Sequence, residues 1–228
     1  MLELAPVAFV LVFAAIIGLI GWLLVRTVRR NRAPRNPAVG HDLARLAAER
    51  GWHYTPRDDE FLRRFDGYPF GRGGQLRPAL DLVTGTHRGR EFACFQFAPP
   101  RSLSPGEGSA EIGYTRVVAV TLPAPVPTLV LSPARSAPRW TRRYTTGDDA
   151  FDRTFAVGTE DEPFADHVLT EPVRRWLLAN PPAGALRLGG PSLVAWNADT
   201  GGFAASMVEP AVAHLSDLLD QIPPDALR

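Results

Sequence analysis

The run from Leu4 to Val25 holds twenty-two residues and no charge. At ~1.5 Å of rise per residue, a helix of that length covers roughly 33 Å, enough for the ~30 Å hydrocarbon core of a bilayer. Gly18 and Gly21 are tolerated in such a helix, and Trp22 near its end suits the headgroup level. A cleaved signal peptide fits poorly, because such a leader has a basic start and an apolar stretch of only about 7–15 residues. Here Glu3 is the charged residue before the run, and the arginines come after it. No polar face interrupts the run, which also disfavours a buried core helix.

Arg26, Arg29, Arg30, Arg32 and Arg35 follow within ten residues. Basic residues beside a membrane helix are retained on the cytoplasmic side. The pattern therefore predicts a single-pass protein of the cell membrane, with its N-terminus outside and its C-terminal domain in the cytoplasm. It divides the chain into a transmembrane helix over 4–25, a basic juxtamembrane linker over 26–40 and a soluble domain over 41–228. The lipid bilayer is the first expected partner, with the five arginines forming a lipid-facing flank toward anionic headgroups.

Residues 36–228 carry 20 arginines against 23 carboxylates, a net of −3. The domain thus lacks the basic balance of a nucleic-acid binder. All 25 basic residues of the chain are arginines. Without lysine there is no Walker-A phosphate loop, no Schiff-base site for pyridoxal phosphate and no kinase ion-pair lysine. Cys94 is the single cysteine, so an internal disulfide and a multi-cysteine zinc site are excluded, and no cofactor is implied.

The domain reads as α+β, with a mainly antiparallel sheet and C-terminal helices. "HDLARLAAERG" predicts a helix with Leu43, Leu46 and Ala47 on one face and Gly51 just beyond its end. "DDEFLRRF" predicts one or two helical turns capped by Asp58 or Asp59. "ALDLVTGT" and "REFACFQF" form a hairpin about "HRG", with Phe95 and Phe97 sharing a face with Ala93 in a half-buried strand. "TRVVAVTL" and "TLVLS" are two strands separated by a turn at "PAPVP", and "ALRL" and "SLVAW" are two more flanking "GGP". "DEPFADHVLTEPVRRWLLAN" gives two consecutive helices, the second with Pro172 in its first turn. The last helix is expected to start at Pro210 and to bury Val212, Leu215, Leu219 and Ile222.

Two stretches, "LVTGTHRGREFACFQF" and "FAVGTEDEPFADHVLTEPVRRWLL", together resemble an uncharacterised group of bacterial membrane-anchored proteins. Gly85-Thr86 and Gly89-Arg90 carry the first motif. Asp161, Pro163 and Ala165 fit the second, whereas His167-Val168-Leu169 and Thr170-Glu171-Pro172 match it loosely. The resemblance implies a membrane anchor bearing an α+β domain and supplies no catalytic residues.

Candidate sites are sparse. None of the five histidines has the HxxxH or ExxH spacing that sets two ligands on one helix face, so no metal or catalytic residue is assigned. His214 and Asp217 lie one turn apart on the last helix and are expected as a solvated pair. The carboxylates at Asp58-Asp59-Glu60, Asp148-Asp149 and Glu160-Asp161-Glu162 suit helix starts and solvation. In "RSAPRWTRRYTTGDD", Trp140 and Tyr144 alternate with Arg142 and Arg143. This composition makes the loop the candidate contact for an unidentified membrane or cytosolic protein. The sequence thus points to a membrane-anchored binding or scaffolding protein rather than an enzyme. A tethered hydrolase assembled from distant histidines and carboxylates is the alternative.

Overall fold

The Arg88-Gly89 turn joins two antiparallel strands, β2 (Ala79–His87) and β3 (Arg90–Phe97), at the heart of the expected hairpin. The computed structural model describes residues 37–71, 77–98, 114–136, 143–199 and 203–228. The run Leu4–Val25 and the five arginines after it lie outside the described residues. Among the described residues, no helix is long and apolar enough to cross a membrane.

The elements before the hairpin are α1 (Pro37–Arg50) and β1 (His53–Asp58), followed by a 3₁₀ turn at Phe61–Arg64. After it come β4 (Tyr114–Pro133), β5 (Arg143–Tyr144), α2 (Asp149–Thr154), β6 (Phe155–Thr159), α3 (Glu162–Val168), α4 (Glu171–Ala179), β7 (Ala185–Asp199) and α5 (Ala205–Gln221). Every strand pair is antiparallel, and the sheet runs β1-β2-β3-β4-β6-β5 with β7 on the other edge of β4. The fold is mixed α+β, as expected.

Local chemistry sets several boundaries. The helix α1 begins at Pro37 rather than at His41, and ends where Gly51 takes φ +68°. There the Trp52 N–H donates to the Ala47 carbonyl at 2.7 Å, the long bond of a Schellman end. Of the two expected caps, Asp58 is the one that holds the 3₁₀ turn, accepting from the N–H groups of Glu60 and Phe61 at 2.9 and 2.8 Å. Pro172 stands in the first turn of α4, also as anticipated.

Two expectations fail in a linked way. The segment 114–133 is one continuous strand, not two strands and a turn, and so is 185–199. The prolines at 123, 125 and 127 do interrupt pairing, because they lack a donor, but they bend the strand rather than reverse it. Their counterpart on β7 is Gly189-Gly190-Pro191: Thr121 pairs with Ser192 and Val126 with Gly190, with the register shifting between them. Interruptions placed opposite each other let both strands bend together. At that bend β4 exchanges one neighbour for another, β3 along residues 115–120 and β6 along 129–133. The ribbon coils tightly enough for its ends to meet. A Cβ built on Gly184, just before β7, would lie 2.1 Å from the carbonyl oxygen of Trp196 near the far end of the same strand.

The sheet is buried on both faces. One face lies under α1, α4 and α5 in a largely aliphatic core that includes Val83, Cys94, Val120, Leu131, Val173, Leu177, Leu186, Leu193 and Leu215. The other face packs Phe95, Phe97, Val117, Val194 and Trp196 against Phe61, Leu62, Phe65 and Phe70 from the segment between β1 and β2. Strand β3 is therefore buried on both sides rather than half-buried. Arg187 of β7, itself buried, ties that aromatic segment down by donating from Nη1 to the carbonyls of Asp66 and Tyr68.

The last helix starts at Ala205, and Pro210 lies inside it. An interior proline costs about 3 kcal/mol in helix terms. Burial of Val208 extends the apolar stripe one turn further back and offsets that cost. Among the described residues, ion pairs fasten α5 to its surroundings: Arg50–Glu209 at 2.7 Å, Arg90–Asp220 at 2.6 Å, and Arg88 with both Asp217 and, at 4.0 Å, Asp220.

Candidate functional site

Of the residues singled out for partner contact, Trp140 and Arg142 lie outside the described residues, as do Arg26, Arg29, Arg30, Arg32 and Arg35. Arg143 and Tyr144 form β5, pairing with Gly158 and Val157 of β6. Arg143 is exposed. Tyr144 turns inward, its hydroxyl donating to Asp166 of α3. Burial, and then the Asp166 carboxylate, push the Tyr144 phenol up to about 12. The ring thus ties the two-residue strand to a helix.

The groups that could carry chemistry are mostly taken up by structure. Asp148 caps α2, accepting from Ala150 and Phe151, and these backbone donors together with Arg174 hold its carboxyl below the usual range. Asp161 caps α3 by accepting from Phe164 at 2.9 Å. Asp59 is paired with Arg57. Asp81 is buried at a bulge in β2, with φ +50°, where Tyr54 and Gln96 donate to its two oxygens at 2.9 and 2.6 Å and lock β1, β2 and β3 together. Cys94 is buried, and burial pushes its thiol up, which disfavours the thiolate a nucleophile needs. Among the described residues, no group of three or more His, Cys, Asp or Glu could hold a metal ion.

His167 and His214 sit in different surroundings. His167 of α3 meets Asp225 at 2.8 Å, but the two side chains are 47% and 69% exposed. His214 does not form the expected solvated pair with Asp217, which is held by Arg88 instead. Its ring packs on Trp176 of α4, with centroids 5.1 Å apart, and burial lowers its pKa.

A groove of about 340 Å³ opens between α1 and the first half of α5. Asp42, Arg45, Leu46 and Glu49 form one wall, and Ala205, Ser206, Glu209 and Pro210 the other. Its charges are paired along the walls: Arg45 with Asp42 at 3.0 Å and Glu49 at 3.9 Å, and Glu209 with Arg50. Pro210 has no N–H for the Ser206 carbonyl four residues back, so this wall carries a backbone acceptor without its helical partner. The arrangement can recognise a polar, charge-bearing segment by exchanging ion pairs and hydrogen bonds. A helix that starts at Pro210 would lack the Ala205–Glu209 part of this wall. Val208, four residues before Val212, was the signal that the helix began earlier.

The fold thus defines a class: a bent antiparallel sheet, covered on one face by helices and on the other by an aromatic loop segment. A solved structure of the mycobacterial trehalose monomycolate transport factor A, TtfA, is similar, with a TM-score of 0.54 and 16% sequence identity. The match covers 82% of this chain and 97% of that one. At that identity the likeness shows the fold alone. No family model matches the chain, and no curated protein matches it.

Proposed function

We propose that the chain is a membrane-anchored, non-enzymatic binding or scaffolding protein, held by Leu4–Val25 with its domain on the cytoplasmic side. The uncharged run and the five arginines after it support the anchor and its orientation. The observation that carries the binding role is the α1–α5 groove. Its walls offer ion-pair and hydrogen-bond recognition, and no histidine or cysteine lines it. Tethering confines partners to a thin layer and so raises effective concentration without new contacts.

The test is site-specific photocrosslinking of the full chain in cells, with the crosslinker at exposed Ser206 on the groove wall. A discrete adduct that disappears when Arg45 and Glu209 are both charge-reversed is the expected result. Absence of any adduct at position 206, with adducts at other exposed positions, overturns the groove as the contact site. Orientation is read separately, by labelling a cysteine introduced at Arg228 of a Cys94→Ala variant with an impermeant reagent. Shielding until lysis is expected, and labelling of intact cells reverses the topology.

The alternative, a tethered hydrolase-like enzyme, draws on the His167–Asp225 pair. A hydrolytic turnover that His167→Ala abolishes, with the fold intact, favours that reading over the first.

A further inference from the structure

We infer that α5 is an acid-sensitive lid: protonation of His214 loosens its seat against α4 and uncovers the leucine-lined sheet face beneath. The imidazole sits between two helices, its ring against Trp176 and its Nε2 buried with no hydrogen-bond partner among the described residues. A neutral imidazole fits there; a cation has no acceptor for its second N–H. From α4 the ring meets uncharged Trp176, while Arg175 and Glu171 of that helix are exposed and paired with each other. On α5 itself, Asp217 is the carboxylate whose field favours the charged form, and Arg88 from the β2–β3 turn is bound to it.

Three further features make α5 the element that opens. Its N-cap is Ala204, which has no side-chain acceptor, and Pro210 removes one backbone bond near its start. Its charged fastenings to Arg50, Arg88 and Arg90 are exposed and therefore weak in water. Beneath it, Leu218 and Ile222 meet Val173, Leu177 and Leu186 around a void of only about 20 Å³. That seam has no polar lining, so nothing directional holds the two sides together.

The sign follows from burial. The seated His214 pKa lies below the ordinary 6.5, so the opened state binds the proton more readily. Closure is fully favoured above about pH 6.5 and weakens as pH falls toward the seated pKa, by at most about tenfold in the opening equilibrium per pH unit.

Hydrogen exchange of the full chain in mild detergent tests this, with protection factors compared at pH 7.5 and 5.5 so that the chemical pH dependence cancels. Protection over residues 205–221 is expected to fall by several-fold to about tenfold, while β2 and β3 keep theirs. In His214→Phe the α5 factors are expected to be the same at both pH values. If that variant does not fold, His214→Gln, which also cannot titrate, takes its place. Equal loss across helix and sheet overturns the lid. So does a pH dependence that survives loss of the histidine.

Discussion

The two faces of the sheet are closed in different ways. On one, α1, α4 and α5 lay continuous aliphatic stripes across the strands. On the other, four side chains of a short segment, Phe61, Leu62, Phe65 and Phe70, plug a surface built on Phe95 and Phe97. Phe95 alone has ring contacts to Phe61, Phe65 and Phe70, with centroids 5.4, 5.7 and 6.3 Å away. A helix spreads its burial along several turns, so losing one side chain leaves most of the seal. The aromatic plug concentrates its burial in a few rings and needs a buried arginine to hold its backbone in place. The difference teaches that a periodic face absorbs the loss of one apolar side chain, whereas a plug built from a few rings does not.

The largest effect is expected where the ribbon that serves both faces closes on itself. Gly184→Val places a side chain into the Trp196 carbonyl and should abolish the cooperative thermal transition seen by circular dichroism. A normal transition would mean that the ends of β7 are free to separate. Next, Phe95→Ala should cost about 3–5 kcal/mol and raise hydrogen exchange over 61–71 before it touches α4 or α5. Leu177→Ala, on the helical face, should cost about 2–5 kcal/mol with the reverse pattern of exchange. Identical exchange patterns in these two variants would erase the distinction between the faces. Arg187→Met should cost only about 1–2 kcal/mol in urea titration, because lost charged hydrogen bonds are partly offset by no longer burying a guanidinium. The smallest change concerns Asp148, whose carboxyl is held below its usual range by the cap it makes. That stabilisation is present above about pH 4 and fades as pH falls. The melting temperatures of the native chain and Asp148→Ala should therefore converge between pH 7 and pH 3. A gap that stays constant over that range would remove the cap from the account.

How much of this was legible in the sequence depended on range. The β2–β3 hairpin, the Gly51 helix end, the Asp58 turn and the Pro172 helix start are local agreements of turn chemistry with apolar period, and the structure has all of them. The bent ribbon was misread because proline and glycine clusters carry the same local signal whether a strand reverses or merely kinks. What decides between those outcomes is the partner strand, some seventy residues away between Thr121 and Ser192. Strand β6, "FAVGT", was passed over because five residues show too little alternation to stand out. The groove could not be read at all, since its walls come from α1 and α5, and only their docking creates it. Phe61 and Phe65 stand four residues apart, a helical spacing, but their target, the underside of β3, is a property of the assembled sheet.

The β4–β7 pairing also bears on how the chain is made. When Pro133 leaves the ribosome, α1 through β4 are complete, yet the edge of β4 that β7 will occupy is bare. Residues 134–199 must still be added before Asp199 can meet Tyr114. At about 5–20 residues per second, that interval lasts roughly 3–13 s. During it, a long strand with valine and leucine on both sides waits beside nascent chain that already carries α2, β6, α3 and α4. The prolines that bend the finished strand have a second use in that waiting state. They deny any passing strand an unbroken row of donors, and so guard the edge against wrong pairing until the right one arrives.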